Sequence, residues 1–131
     1  MKYRSEYAKE GMTKAFESAG AFFAFTDDQY NKVAVDGVDY CSMGAGLIAP
    51  VDNAVALRAE LDRLYVESIK ADLADNGINP IIRRELFNYE CFYSSDISEC
   101  VDALKDYDGI SEALIIQQYN HIRRTETDTI F

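Results

Sequence analysis

The residues best suited to chemistry are the acidic side chains between positions 96 and 112, where Lys105 is the single basic residue. A helix over this segment places Glu99, Asp102 and Asp106 on one face, where like charges repel. The acidic strip is therefore either a solvated outer face or a binding site for a basic partner surface. It consists of Asp96, Glu99, Asp102, Asp106, Asp108 and Glu112. A second acidic stretch can add to the negative electrostatic potential of the strip if the fold brings it near. It contains Asp27, Asp28, Asp36 and Asp39.

A glycine pair offers an alternative site. Gly44-Ala45-Gly46 follows a predicted strand and precedes a predicted helix, and close backbone approach to a phosphate needs such glycines near a helix N-terminus. The third glycine of the dinucleotide fingerprint is missing, as is the Gly-Lys-Ser/Thr of a P-loop. The alternatives are a small-ligand or nucleotide site at Gly44 and Gly46, and a tight turn or bulge between extended segments.

Metal-binding and nucleophilic residues are few. His121 is the single histidine, and Cys41, Cys91 and Cys100 lack the spacing of a zinc site. We interpret Cys91 and Cys100 as buried free thiols and His121 as a surface or cap residue. The sequence contains neither a Gly-x-Ser-x-Gly elbow nor the ligand order of an EF-hand loop. It therefore predicts no metal, no cofactor, no catalytic residue and no enzymatic activity.

Length and charge narrow the function classes. A chain of 131 residues predicts a single domain over 1–131, and a hydrophobic content of 48% can fill one core. The net charge of -10 disfavours direct binding of nucleic acid or of anionic lipid, although it also simply favours solubility. No signal-like or membrane-spanning apolar segment is evident, so we expect a cytoplasmic protein with reduced cysteines.

The elements that position these residues follow from apolar periodicity. The apolar pattern along the chain predicts an α+β fold that is mostly helical. In this fold a small N-terminal β-hairpin or short sheet packs with about five helices. The first strand is expected to pair with the second, Thr26 to cap the short helix that follows it, Asn79 to cap the helix at Pro80, and the last seven residues to fray. Strands are predicted at 21–25, 38–43 and 47–49, and helical segments at 4–18, 26–35, 52–75, 80–93, 97–107 and 110–124.

Aromatic residues cluster between positions 87 and 93. Core packing is the default role for Phe87, Tyr89, Phe92 and Tyr93, and an exposed tyrosine-rich edge serving as an interaction hot spot is the alternative.

Three segments of the sequence resemble those of other proteins. FFAFTDDQY, YCSMGAGLIAP and NYECFYSSD resemble small uncharacterised proteins encoded by phages and other mobile elements of gut bacteria. The resemblance spans most of the chain, and it transfers no activity and no site. It implies a genomic setting in which small acidic proteins bind host defence or regulatory proteins.

Three hypotheses follow. The leading one is a non-enzymatic acidic protein that uses the acidic strip to bind a basic or nucleic-acid-binding host protein, in the narrower form a phage-encoded inhibitor of bacterial defence. The alternatives are a small-ligand or nucleotide-binding protein that uses the Gly44–Gly46 turn, and a homo-oligomeric accessory protein.

Overall fold

The computed structural model describes residues 1–126, and helices account for 67% of them. The prediction of a mostly helical α+β fold is confirmed, with seven helices among the described residues. The expected fraying falls mainly on 127–131, outside the described residues. The strands are β1 (Phe22–Phe23), β2 (Tyr40–Gly44) and β3 (Leu47–Pro50), and the helices are α1 (Arg4–Ala19), α2 (Asp27–Val33), α3 (Val51–Asn76), α4 (Ile78–Asn88), α5 (Cys91–Ser94), α6 (Ser98–Leu104) and α7 (Glu112–Thr125).

The three strands form an antiparallel sheet in the order β1-β3-β2. The prediction that the first strand pairs with the second is wrong, because β3 lies between them. The reason is local: Ala45 and Gly46 have φ values of 51° and 81°, the double left-handed geometry of a two-residue hairpin turn. This turn folds β3 directly onto β2, and β1 then pairs with the other edge of β3, Phe23 opposite Leu47.

Contacts within the chain cluster in two compact units, Lys2–Ser68 and Ile69 onward, which we call the N-terminal and C-terminal units. The single-domain prediction stays a prediction. In the N-terminal unit, Leu47, Ala49 and Leu57 are buried and pack with Phe16 and Leu61. On the other face of the sheet, the rings of Phe22, Tyr30 and Tyr40 contact one another with centroids 5.5 to 6.1 Å apart.

Local sequence signals explain the start of α2. The Thr26 side chain accepts a hydrogen bond from the Gln29 amide at 3.2 Å, and the Gln29 side chain accepts one from the Phe25 amide at 2.7 Å. Thr26 and Gln29 thus satisfy orphan amides at the helix start, and the predicted cap at Thr26 is confirmed.

The start of α4 differs from the prediction. The helix begins at Ile78, and its N-cap is Gly77 rather than Asn79. Gly77 adopts a φ of 77°, which reverses the chain immediately after α3 ends at Asn76. Pro80 consequently lies within the first turn, where its missing N–H leaves no helical bond unmade.

The predicted helix at 80–93 is divided in two. Glu90 and Ser95 adopt left-handed φ values of 53° and 59°, so α4 ends at Asn88 and the single turn α5 stands between these two residues. The break turns Cys91 and Phe92 into the core of the C-terminal unit. There Phe92 stacks on Tyr119 of α7, with centroids 5.0 Å apart.

Candidate functional site

The acidic strip begins at Asp96, just before α6, and continues through α6 and the turn after it to the first residue of α7, all within the C-terminal unit. Its six carboxylates are all exposed. The prediction that Asp106 shares a helical face with Glu99 and Asp102 is wrong, because α6 ends at Leu104. The chain turns there, and the next residues bring Tyr107 into the core with 3% of its surface exposed.

Asp96 has a local structural role. Its carboxylate accepts hydrogen bonds from the amide and the hydroxyl of Ser98, at 2.9 and 2.6 Å. Both bonds lower the pKa of Asp96, and the bond from the Ser98 side chain has the larger effect. Asp96 therefore helps to start α6, and this role is sufficient to explain its position.

Asp102 lies at the centre of the strip, because it lines two adjoining shallow depressions. The first has a volume of about 360 Å³ and the second about 440 Å³. The first also contains Glu99 and Tyr89, and the second contains Glu112 and Lys105. The structure thus brings Glu99, Asp102 and Glu112 to one surface. We call these three residues the acidic face.

Tyr89 is a member of this surface that the strip itself did not include. It lies just after α4 and is 36% exposed. Partial burial raises the pKa of Tyr89, and the nearby charges of Glu85, Glu99 and Asp102 raise it further. The separation of Tyr89 and Asp102 in the sequence does not predict that they lie on one surface. Tyr89 was nevertheless one of the residues considered for an exposed tyrosine-rich edge.

Lys105 is the cation of this surface. Its ammonium lies 3.4 Å from the Asp102 carboxylate, and both side chains are mostly exposed. An exposed pair of this kind contributes little free energy, about 0 to 1 kcal/mol. Asp102 is therefore available to a better-placed cation.

A buried ionic network inside the C-terminal unit was not predicted. Arg84 donates two hydrogen bonds to the Asp72 carboxylate, both at 2.8 Å, and its Nε donates to Glu85 at 2.7 Å. Tyr107 donates to Asp72 at 2.5 Å, and Asn76 donates to it at 2.8 Å. Asp72 is completely buried, and Arg84 and Glu85 are less than 10% exposed.

The network compensates for the cost of burying its charges. Burial acts to raise the pKa of Asp72, but hydrogen bonds from Arg84, Tyr107 and Asn76 outweigh it, so this pKa lies below its usual value. Burial, with the bond to Asp72, raises the pKa of Tyr107. Among the described residues, every buried side-chain nitrogen and oxygen atom has a hydrogen-bond partner. We interpret this closed arrangement as structural rather than catalytic.

The Gly44–Gly46 segment is the hairpin turn between β2 and β3. The Phe25 ring lies so close to Gly46 that a Cβ added to this glycine would clash with the ring. The strand β3 separates the glycines from α3, so they do not adjoin a helix N-terminus. The ligand-binding role of Gly44 and Gly46 stays a prediction.

A groove between α1 and α3 has a volume of about 500 Å³ and belongs to the N-terminal unit. Small side chains on both helices, including Gly11, Ala15 and Ala56, leave this space. The basic groups at its rim are engaged: Arg63 with Glu60 at 2.6 Å, and Lys14 with Glu10 at 3.3 Å. Both pairs are largely exposed, so they contribute little free energy.

The remaining candidate residues lie as follows. Cys91 and Cys100 are fully buried free thiols, as predicted, and His121 is exposed. Burial raises the pKa of Cys100 to about 12. Within residues 1–126, no group of three or more histidine, cysteine or acidic residues could hold a metal ion. None of the helices in that range is both long and apolar enough to span a membrane.

Comparison with family models matches residues 4–125 to a family of unknown function, DUF7659. Neither the curated proteins nor the solved structures contain a match to the chain.

Proposed function

The chain belongs to this family of unknown function, and we propose that it is a non-enzymatic acidic protein that binds a basic partner through its acidic face. The observation that carries the proposal is the position of Asp102, which joins Glu99 and Tyr89 on one side to Glu112 on the other. These three carboxylates come from two helices, so they form a surface rather than a row along one helix.

The chemistry of the face suits an arginine or lysine of the partner. Exposed carboxylates accept charge-assisted hydrogen bonds, and arginine binds them in a bidentate manner. The Tyr89 side chain, which is about one third exposed, lines the same depression, and a partner cation bound there can add a cation–π contact. The net charge of -10 attracts a basic protein over a longer range and speeds its association.

The class of partner follows from the same charges. Proteins that bind nucleic acid carry clustered lysine and arginine residues, so they complement an acidic face. We therefore propose a nucleic-acid-handling host protein as the partner, with binding in the cytoplasm. The narrower proposal, a phage-encoded inhibitor of a bacterial defence protein, is supported by this charge and by the resemblance of the three sequence runs.

The test compares two variants, each of which loses three negative charges at different positions. The site variant is E99Q/D102N/E112Q. Its matched control is E10Q/E17Q/D62N, which neutralises exposed acids on α1 and α3. Each protein is immobilised, and the proteins that it captures from a host-cell extract are identified by mass spectrometry at about 50 mM and about 300 mM salt, because screening shortens the reach of surface charges.

We expect the wild type and the control to capture the same basic protein, more weakly at high salt, and the site variant to lose it. Titration of the purified partner should then show at least a tenfold weaker Kd for the site variant alone. Equal capture by all three proteins, or an equal loss in both variants, contradicts the proposal, because net charge rather than the acidic face would then govern binding.

A further inference from the structure

The strand β2 forms one edge of the sheet in the N-terminal unit, because the strand order is β1-β3-β2. In an antiparallel sheet, opposite residues alternate between pairs that exchange backbone hydrogen bonds and pairs that do not. The Ala24 amide donates to the Gly46 carbonyl at 2.9 Å. Two residues further along β3, Ile48 therefore exchanges its hydrogen bonds with Phe22 of β1. Ser42, which lies opposite Ile48 in β2, is consequently not bonded to it.

Tyr40 and Ser42 direct their backbone groups away from the sheet. The Val51 amide donates to the Asp39 carbonyl at 2.8 Å, and this bond fixes the same alternation from the start of β2. Ser42 is also exposed. Outward N–H and C=O groups on alternate residues are satisfied by another extended backbone, which is why the edge of a sheet can accept a further strand.

The chain around the start of β2 is acidic. Asp39 directly precedes the strand, and its bond to Val51 brings the first turn of α3, with Asp52, alongside. Asp36 lies in the same exposed segment as Asp39, and Lys32 near the end of α2 is the basic residue closest to them in the sequence. Carboxylates therefore outnumber ammonium groups at this end of β2.

The other end of β2 carries an arginine. The exposed Arg58 donates to the Met43 carbonyl at 3.2 Å. Because Val51 lies beside the start of β2 and Arg58 beside its end, α3 runs along the strand, and Asp62 lies one turn beyond that end. The carboxylates in the first turn of α2 follow β1, which forms the opposite edge of the sheet. The edge strand thus has an acidic start and a basic end.

We propose that β2 pairs with β2 of a second copy of this chain, antiparallel about a twofold axis, so that the two sheets become continuous. Tyr40 then lies opposite Ser42 of the second copy, and the outward groups of both residues are used. Asp39 lies opposite Met43 of the second copy, beside its Arg58, whereas parallel pairing would place the two acidic ends together. The β-bulge that follows Ser42 ends the regular edge, which favours this register over a shifted one.

Cys41 reports on this register. It lies opposite Cys41 of the second copy in a pair that exchanges no hydrogen bonds, where Cα atoms are about 4.5 Å apart. This separation suits a disulfide, and Cys41 is partly exposed. Oxidised glutathione should therefore join the two Cys41 thiols, and it is itself reduced to two molecules of glutathione.

The test measures self-association of the full chain by sedimentation equilibrium from about 10 to about 500 µM protein, because a short edge interface gives a weak dimer. S42P removes an N–H that makes no bond to β3, and S42T, which keeps the N–H and the hydroxyl, is its control. D39K and R58E each break the charge pairing, and D39K/R58E exchanges its two partners. Urea unfolding checks that each variant folds.

We expect the wild type and S42T to dimerise with the same Kd and S42P to raise this Kd at least about tenfold. D39K and R58E should each raise it about fivefold, and D39K/R58E should restore it. D39K lowers the net negative charge, so weaker association in this variant cannot come from general repulsion. The E99Q/D102N/E112Q variant should dimerise like the wild type, because this surface does not depend on the function proposed for the acidic face.

A chain that stays monomeric up to about 500 µM overturns the proposal, as does a dimer that a folded S42P does not weaken. If S42P does not fold, the charge exchange decides, and a D39K/R58E dimer no tighter than those of the single variants overturns it. A dimer that oxidised glutathione links through Cys91 or Cys100 rather than Cys41 also overturns it.

Discussion

Replacement of Asp72 by asparagine tests the buried network directly. The carboxylate accepts two hydrogen bonds from Arg84, one from Tyr107 and one from Asn76. An asparagine has nearly the same shape but carries no charge, and its amide NH2 would face donors. The Arg84 charge would then remain in the core with Glu85 as its remaining acidic partner.

The expected cost follows from this geometry. Loss of one partner from a buried ion pair destabilises a protein by about 3 to 5 kcal/mol, because the other charge is left without full compensation. A typical domain has about 5 to 15 kcal/mol of stability in all. With a urea m-value of about 2 kcal/mol/M, the unfolding midpoint should fall by about 2 M.

The assay is urea unfolding followed by circular dichroism at neutral pH. The matched control is D62N, which neutralises an exposed aspartate of the same helix and should change the free energy of unfolding by less than about 0.5 kcal/mol. Y107F removes a single donor to Asp72 and should cost about 1 to 3 kcal/mol. In the double variant the two costs should fall short of their sum, because both act on the same hydrogen bond.

A cost for D72N no larger than that of D62N would refute this reasoning. The Asp72–Arg84 contact would then be worth no more than an exposed ion pair. Strictly additive costs in D72N/Y107F would likewise show that Tyr107 and Asp72 do not interact.

Three further predictions follow from the structure. Because the folded state lowers the pKa of Asp72, its contribution is complete above the unfolded-state pKa of about 3.9 and is lost as pH falls through the folded-state value. The unfolding free energies of wild type and D72N, measured from neutral pH downward, should therefore converge in acid, and a constant difference would contradict this. A thiol reagent at pH 8 should modify the partly exposed Cys41 before the buried Cys91 and Cys100, as peptide mapping would show; equal rates would mean that the core opens readily. Gly46→Ala should cost about 1 to 3 kcal/mol in urea unfolding, because its φ is 81° and its Cβ would meet the Phe25 ring; an unchanged midpoint would contradict this close packing.

Local patterns predicted the elements that depend on neighbouring residues. The long apolar rhythm of α3, the cap at Thr26 and the helical C-terminal half are all visible in the sequence. These features persist because their hydrogen bonds close within a few residues. The predicted end of the helix near position 93 agrees with the left-handed Ser95, which follows α5. The break at Glu90 was missed, because left-handed Glu90 has no sequence signal of its own and the core burial of Cys91 and Phe92 stabilises that geometry.

The candidate site, like the fold, could be predicted only in part from the sequence. The acidic residues are evident from composition, but their grouping depends on the packing of α6 against α4 and on the turn that leads to α7. Asp102 joins Tyr89 and Glu112 because the chain leaves the helical path after Leu104 to bury Tyr107. Nothing in the spacing of those residues specifies this.

The sequence by itself determined the fold class, the excess of negative charge and the positions of most helices, because these depend on composition and on periodicities of a few residues. Only the tertiary structure decided that β3 pairs with both other strands, that Asp72 and Arg84 meet in the core, and which carboxylates share a surface. Each of these depends on contacts between residues distant in the chain, and burial, which strengthens or penalises every charge, is set by the whole fold.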